Sequence, residues 1–234
     1  MERKNVIGMV PFYLLFFIGF LGIANWFSNA RTTAVQTDPV ARQHTIVIDA
    51  GHGGVDGGAT SCTGVLESQI NLQIALRLND LLNLLGMDTL MIRTTDTSVY
   101  TEGNTIAAQK VSDLKERVRM VAQTENAILI SIHQNTFSNS KYSGAQVFYA
   151  DTPGSRELAQ ELQTAFVSTI NHGSNRKCKS AKGIYLMEQI NCPGVLIECG
   201  FLSNPEEEAK IRSNKYQNDI CCVIASALSR HLDT

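Results

Sequence analysis

From His44 onward, short apolar runs alternate with longer segments of helical period, and this alternation most constrains the fold. The runs are Thr45–Asp49 (TIVID), Thr89–Ile92, Ile128–Ile132, Ala145–Tyr149, Ile184–Met187 and Val195–Glu198. The segments between them read as helices over Ser68–Leu85, Val111–Thr124, Ser155–Ile170, Pro205–Ile211 and Gln217–Leu232. In the first helix Ile70, Leu72, Ile74, Ala75, Leu78, Leu81, Leu82 and Leu85 recur close to a 3.6 period, and Gly86 ends it. Strands and helices alternating at these lengths predict an α/β domain over residues 44–234, with a mostly parallel central sheet flanked by helices.

The chain ahead of that domain has a different character. No charge lies between Lys4 and Arg31, and the apolar run Val6–Phe27 is long enough to cross a hydrocarbon core, which takes about 20 helical residues. Arg3 and Lys4 precede it, as at an end kept in the cytoplasm, and Trp26 lies near the far end. Two readings stand: an uncleaved membrane anchor, or a signal peptide cut near Ser28-Asn29-Ala30. Both place the remainder outside the cytoplasmic membrane. Residues 28–43, with Pro39 and no apolar period, read as a tether.

Composition narrows the classes of function. At 44% apolar and 18% charged residues, the 234-residue chain can bury a sizeable core. Twenty Lys+Arg against 22 Asp+Glu leave a net charge of −2, which gives nucleic acid no basic footprint. Cys62, Cys178, Cys192, Cys199, Cys221 and Cys222 contain no CxxC pair. They read as buried or half-buried thiols, with adjacent Cys221 and Cys222 pointing different ways from one helix.

Four polar segments carry the chemistry. Asp49-Ala50-Gly51-His52-Gly53-Gly54 follows the first strand, and His133-Gln134-Asn135 follows AILISI. Glu198-Cys199-Gly200-Phe201 closes VLIE, and Glu67 stands at the start of the first long helix. Ligands of parallel sheets bind at the carboxyl ends of strands, so these segments are expected to converge on one edge. His52, His133 and Glu67 together suit a catalytic zinc ion with its fourth position open. Glu198 is then the carboxylate left to accept a proton from water. Glycines around His52 allow tight turns and close backbone approach.

Taken singly, each residue has a structural explanation. A strand-end histidine can be hydrogen-bonded packing, Glu67 can favour a helix N-terminus, and Glu198 can pair with an arginine. A shared edge separates the two readings. Asp49 and Asn135 read either as groups orienting ligands or substrate, or as local turn caps. Cys199 should face away from Glu198, because successive strand side chains alternate. His44 belongs at the opposite edge, His172 reads as a helix cap, and His231 ends the last helix. Ser131 lacks a nucleophile elbow.

In their order, DAGHGGVDGGA (49–59), Glu67 with NLQIA (71–75), RTTD (93–96), LKERV (114–118), SIHQN (131–135), SGAQVFY (143–149) and IECGFLSNPEE (197–207) resemble the zinc-dependent N-acetylmuramoyl-L-alanine amidases of the amidase 3 family. The resemblance runs from His44 to about Leu232 and is nearest to the germination-specific, CwlD-type amidases of spore formers. It implies zinc held by His52, Glu67 and His133, with Glu198 assisting catalysis. The implied reaction cleaves the amide between N-acetylmuramic acid and L-alanine in peptidoglycan, towards muramic-δ-lactam in spore cortex. With no wall-binding repeat beside the domain, a protein partner that positions or activates the enzyme is expected. A zinc peptidase or deacetylase, and a non-catalytic membrane-tethered peptidoglycan-binding scaffold, are the alternatives.

Overall fold

The computed structural model describes residues 44–232; the Val6–Phe27 run and the 28–43 tether lie outside the described residues. The strands are β1 (Thr45–Ala50), β2 (Asp88–Met91), β3 (Ala127–Asn135), β4 (Gln146–Tyr149), β5 (Lys179–Ser180) and β6 (Gly194–Phe201). The helices are α1 (Glu67–Leu84), α2 (Ile106–Ala122), α3 (Ser155–Thr169), α4 (Tyr185–Gln189), α5 (Pro205–Ile211) and α6 (Asn214–Leu232). The sheet order is β2-β1-β3-β6-β4-β5. β2, β1, β3 and β6 run parallel, whereas β4 is antiparallel to β6 and parallel to β5. The expected mostly parallel α/β domain is what forms.

The period-2 alternation of the strands sorts side chains between two cores. Ile46, Ile48, Ile128, Ile130, Ile132, Val195, Ile197 and Cys199 enter a cluster with apolar residues of α1, α3 and α6. Val47, Leu129 and Leu196 enter the other, under α2 and α4. By the same alternation Asp49, Ser131, His133 and Glu198 belong to the α2 face, and Cys199 faces away from Glu198. Fully buried side chains such as Leu78 and Phe166 anchor the helices, each contributing roughly 1.5–3 kcal/mol by burial.

Three segments differ from the expectation. Ile184–Met187 is not a strand: Tyr185–Gln189 is helical, and Leu186 and Met187 are its buried residues. The edge strand is instead the polar pair Lys179–Ser180, exposed at both positions. Helix α2 starts at Ile106 rather than Val111, with Thr105 Oγ1 accepting from Ala108 N at 3.2 Å as its N-cap. Among the cysteines, Cys62 and Cys222 are exposed rather than half-buried, while Cys199 and Cys221 are buried. Cys221 and Cys222 do point different ways.

Candidate active site

The site stands where β1, β3 and β6 end and α1 begins. β1 pairs with β3 from Thr45↔Ala127 to Ala50↔Ile132, and β3 brings His133 opposite Glu198 of β6. Glu67, the first residue of α1, turns its carboxylate into the space between the histidines. Its Oε1 lies 3.0 Å from His133 Nδ1, and its Oε2 lies 3.3 Å from His52 Nε2. The ligand atoms of His52, Glu67 and His133 all fall within 4.8 Å of one another. The two imidazole rings meet edge to face with centroids 4.9 Å apart.

The glycines the sequence places here have separate duties. A Cβ at Gly51 would stand 2.2 Å from His133 Nε2, and one at Gly58 would meet His52 Cδ2 at 2.6 Å and Glu67 Oε2 at 2.7 Å. Side chains at either position would therefore occupy ligand space. His52 itself has φ +61°, a left-handed conformation that costs a non-glycine residue free energy and needs surrounding support.

Two buried arginines supply that support. Arg117 of α2 donates from Nη2 to the His52 carbonyl at 2.7 Å and from Nη1 to the Ala50 carbonyl at 3.1 Å. The same guanidinium pairs with Asp49, and with Asp113 at 2.6 Å. Arg93 donates to the carbonyls of Ala50 (2.8 Å), Gly51 (3.1 Å), Ser68 (2.8 Å) and Thr95 (3.0 Å). The loop's backbone acceptors are thus answered before any ligand arrives.

A further carboxylate addresses the first histidine. Asp56 Oδ2 lies 2.8 Å from His52 Nδ1, and its Oδ1 lies 2.7 Å from Lys110 Nζ. A carboxylate on Nδ1 fixes the ring so that Nε2 faces Glu67. Burial alone would lower the His52 pKa, but Glu67 and then Asp56 outweigh it and raise it to about 9. For Glu67, burial pushes upward while His133 and His52 hold the carboxyl far below its ordinary value. Asn71 Nδ2 and Gln134 N donate to Glu67 Oε1 at 3.2 and 3.1 Å, and Ala59 N donates to Oε2 at 2.9 Å.

Glu198 contrasts with this saturation. Its Oε2 is shielded from solvent and has no hydrogen-bond partner among the described residues. Burial raises its pKa to about 7, with His133 opposing the rise and Glu67 adding to it. The arginine pairing open to it on sequence grounds does not occur among the described residues.

The amidase-family profile for N-acetylmuramoyl-L-alanine amidases matches residues 46–230. The chain belongs to that family. It is 36% identical over 222 residues to the germination-specific N-acetylmuramoyl-L-alanine amidase of Bacillus subtilis strain 168, covering 94% of this chain and 92% of that protein. Among solved structures, the CwlD amidase from Clostridioides difficile, in complex with the GerS lipoprotein, matches at TM-score 0.78 and 37% identity. That match covers 81% of this chain and 98% of the other. An N-acetylmuramoyl-L-alanine amidase from Clostridium difficile 630 matches at TM-score 0.72 and 33% identity, covering 82% and 97%. The amidase is thus a peptidoglycan hydrolase whose candidate metal site is His52, Glu67 and His133.

Two other sequence candidates take different places in the amidase. Asp49 is buried beneath the site, where Ser131 Oγ donates to its Oδ2 at 2.6 Å. Asp49 contacts Arg117 and Ser131, and it reaches His52 through Arg117. Asn135 ends β3 opposite Phe201, and its carbonyl accepts from Leu202 N at 2.8 Å. Asp56, Lys110, Arg93 and Arg117 carry most of the support, yet sequence reasoning gave none of them a role. Signals existed for two: Asp56 lies four residues after His52, and Arg117 shares the buried stripe of α2 with Asp113 and Val121.

Proposed function

We propose that His52, Glu67 and His133 hold a zinc ion and that Glu198 is the acid and base of amide hydrolysis. The scissile bond joins N-acetylmuramic acid to the L-alanine of the stem peptide. The observation that carries this reading is the meeting of a two-histidine, one-carboxylate donor set with a carboxyl whose shielded Oε2 has no partner. That donor set is the one catalytic zinc uses with a position left open. A shielded, unanswered carboxyl is costly unless a ligand or water addresses it. When bound, the ion supplies Lewis acidity, polarising the carbonyl and making water acidic near neutral pH.

The chain's own groups do the rest. Asp56 orients the His52 ring, while Arg93 and Arg117 keep its loop in place. Glu198 takes a proton from the attacking water and returns it to the leaving nitrogen.

Similarity to the germination-specific amidase supports a role in spore cortex, producing the substrate for muramic-δ-lactam formation. Val6–Phe27 would then anchor or export the catalytic domain (44–234) across the membrane, with residues 28–43 as tether. A lipoprotein partner fits the same reading, since the similar CwlD amidase was solved with GerS. Digestion of cortex peptidoglycan by the full chain, with and without such a partner, followed by mass spectrometry, tests the assignment. Free stem peptides beginning with L-alanine are expected. Internal peptide cuts or lost acetyl groups would assign a different hydrolase, and wall binding without any product would assign a scaffold.

A further inference from the structure

Beyond Glu198, on the side away from the histidines, the catalytic edge carries an exposed aromatic platform. Phe137 and Tyr142 are 52% and 47% exposed, large fractions for side chains of this size. They meet edge to face at 4.9 Å, and Tyr142 stacks on the buried Phe201 ring at 6.1 Å. The platform is held from below. Phe137 N donates to Ser203 Oγ at 3.0 Å, and Asn204 Nδ2 donates to the Tyr142 carbonyl at 3.2 Å.

Arg176 completes it. Its guanidinium lies 5.4 Å from the Phe201 centroid, and Nη2 donates to the Ser143 carbonyl at 3.0 Å. Nη1 makes a long 3.4 Å contact with Oε1 of Gln146, the residue directly cross-strand from Glu198. Among the described residues no carboxylate pairs with Arg176, unlike buried Arg117 with its two aspartates. A half-buried arginine on an aromatic face, without an internal anion, is a ready carboxylate receptor.

The sheet order fixes which part of the substrate passes here. Along the edge the sequence of strands is β1 with His52, β3 with His133, β6 with Glu198, then β4 with Gln146. Resting on the assignment of Glu198 as donor to the leaving nitrogen, the peptide bearing that nitrogen departs past Glu198, towards β4. We infer that Phe137, Tyr142 and Arg176 form the stem-peptide subsite, with Arg176 receiving a carboxylate of the residue after L-alanine. Aromatic faces pack the short apolar alanine end, and the guanidinium selects an acidic stem over a neutral one.

The test uses two soluble substrates with one scissile bond, MurNAc-L-Ala-D-Glu γ-methylamide with its free α-carboxylate and the corresponding neutral α-amide, and the detergent-solubilised full chain. Wild type should show a KM about tenfold lower for the acid, the scale of one charge-assisted hydrogen bond. Arg176→Met should raise the KM for the acid to that for the amide while kcat on the acid is retained. Arg176→Lys should restore part of the preference, and Phe137→Ala or Tyr142→Ala should raise KM for both substrates severalfold. A purely structural Arg176 would instead lower kcat on both and leave the KM ratio at its wild-type value, which overturns the subsite.

Calorimetry with the free dipeptide derivatives L-Ala-D-Glu γ-methylamide and its α-amide reads the subsite without turnover. An Arg176-dependent preference for the acidic dipeptide supports it even in a preparation that cleaves neither substrate, which would count against the assigned reaction alone. Equal affinity for the two dipeptides, or none for either, overturns it. So does loss of lipoprotein binding in the Phe137 and Tyr142 variants with peptide affinity unchanged.

Discussion

The two halves of the catalytic edge are built on opposite principles. On the β1 and β3 side the groups that face the site are answered: His52 has Asp56 and Glu67, Asp49 has Arg117 and Ser131, and loop carbonyls have Arg93. Among the described residues, the buried side-chain atoms left unpaired on this side are Ser68 Oγ and Gln134 Oε1. On the β6 and β4 side Glu198 keeps a shielded oxygen without a partner, and Phe137 and Tyr142 stay exposed. The first half is a frame that holds its shape alone. The second is left unsatisfied, so that substrate and water complete it. Satisfied buried networks rigidify a site, whereas an unanswered polar group marks where a reacting molecule belongs.

The largest effect should come from the unsatisfied half. Glu198→Gln cannot accept the water proton, so hydrolysis should fall by about 10²–10⁴-fold. Because Glu198 lies outside the donor set, zinc content by atomic spectroscopy should stay near that of wild type, whereas His52→Ala and His133→Ala should lose metal and activity together. Zinc loss in Glu198→Gln matching the histidine variants would move Glu198 into the frame and erase the contrast.

In the frame, the largest cost should be to stability. Arg117→Met leaves Asp49 and Asp113 without their shared cation in a buried setting. Breaking a buried pair in this way costs about 3–5 kcal/mol. Urea unfolding of the metal-free protein measures it, and adding Asp49→Asn and Asp113→Asn should recover much of the loss. A lone Arg117→Met variant as stable as wild type would mean the arginine braces nothing.

The same contrast explains what could be read from sequence. TIVID, AILISI and VLIE declare themselves because parallel strands covered on both faces must be apolar, and His52, His133 and Glu198 are polar interruptions at their ends. Glu67 is readable as a carboxylate opening a periodic helix. The frame behind them was hidden, because Arg117 reaches Asp49 and His52 across more than sixty positions and no local pattern encodes such a contact. The edge failed for a different reason. Lys179–Ser180 is too short and polar to look like a strand, while the apolar GIYLM beside it is a single buried helical turn. Exposed Ile106, Ala107 and Ala108 carried no period, so the start of α2 was missed.

A smaller effect tests whether the frame tunes the ligands as well as holding them. Asp56→Asn keeps a polar group near His52 Nδ1 but removes the carboxylate charge. Loss of such an orienting partner typically costs about 10–100-fold in metal affinity. Competition with a chromophoric chelator should show this weakening at unchanged far-UV circular dichroism. Lys110→Met, one contact further out, should weaken affinity less. Equal affinity in wild type and Asp56→Asn would confine the frame's role to backbone support.

The subtlest signal is a pH dependence in which the two halves have opposite signs. Asp49 is pushed up by burial but held below its ordinary value by the Arg117 charge, so it contributes stability above the unfolded carboxyl pKa. That contribution is lost only as acid falls through its depressed folded value. Glu198 is raised by burial to about 7, so the folded state holds its proton where the unfolded chain has released it. Its contribution is therefore greatest below the unfolded value, about 4.3, and is lost as pH rises through about 7. Urea unfolding of metal-free wild type and Glu198→Gln across that window reads the second carboxyl together with the His133, Glu67 and His52 charges coupled to it, since the uncoupled titrations cancel in the difference. The two proteins should be nearly equal at the acid end, and the glutamine variant should gain steadily to a plateau above neutrality. A difference that stays flat with pH would show that Glu198 is answered in the free enzyme, and the halves would no longer differ in kind.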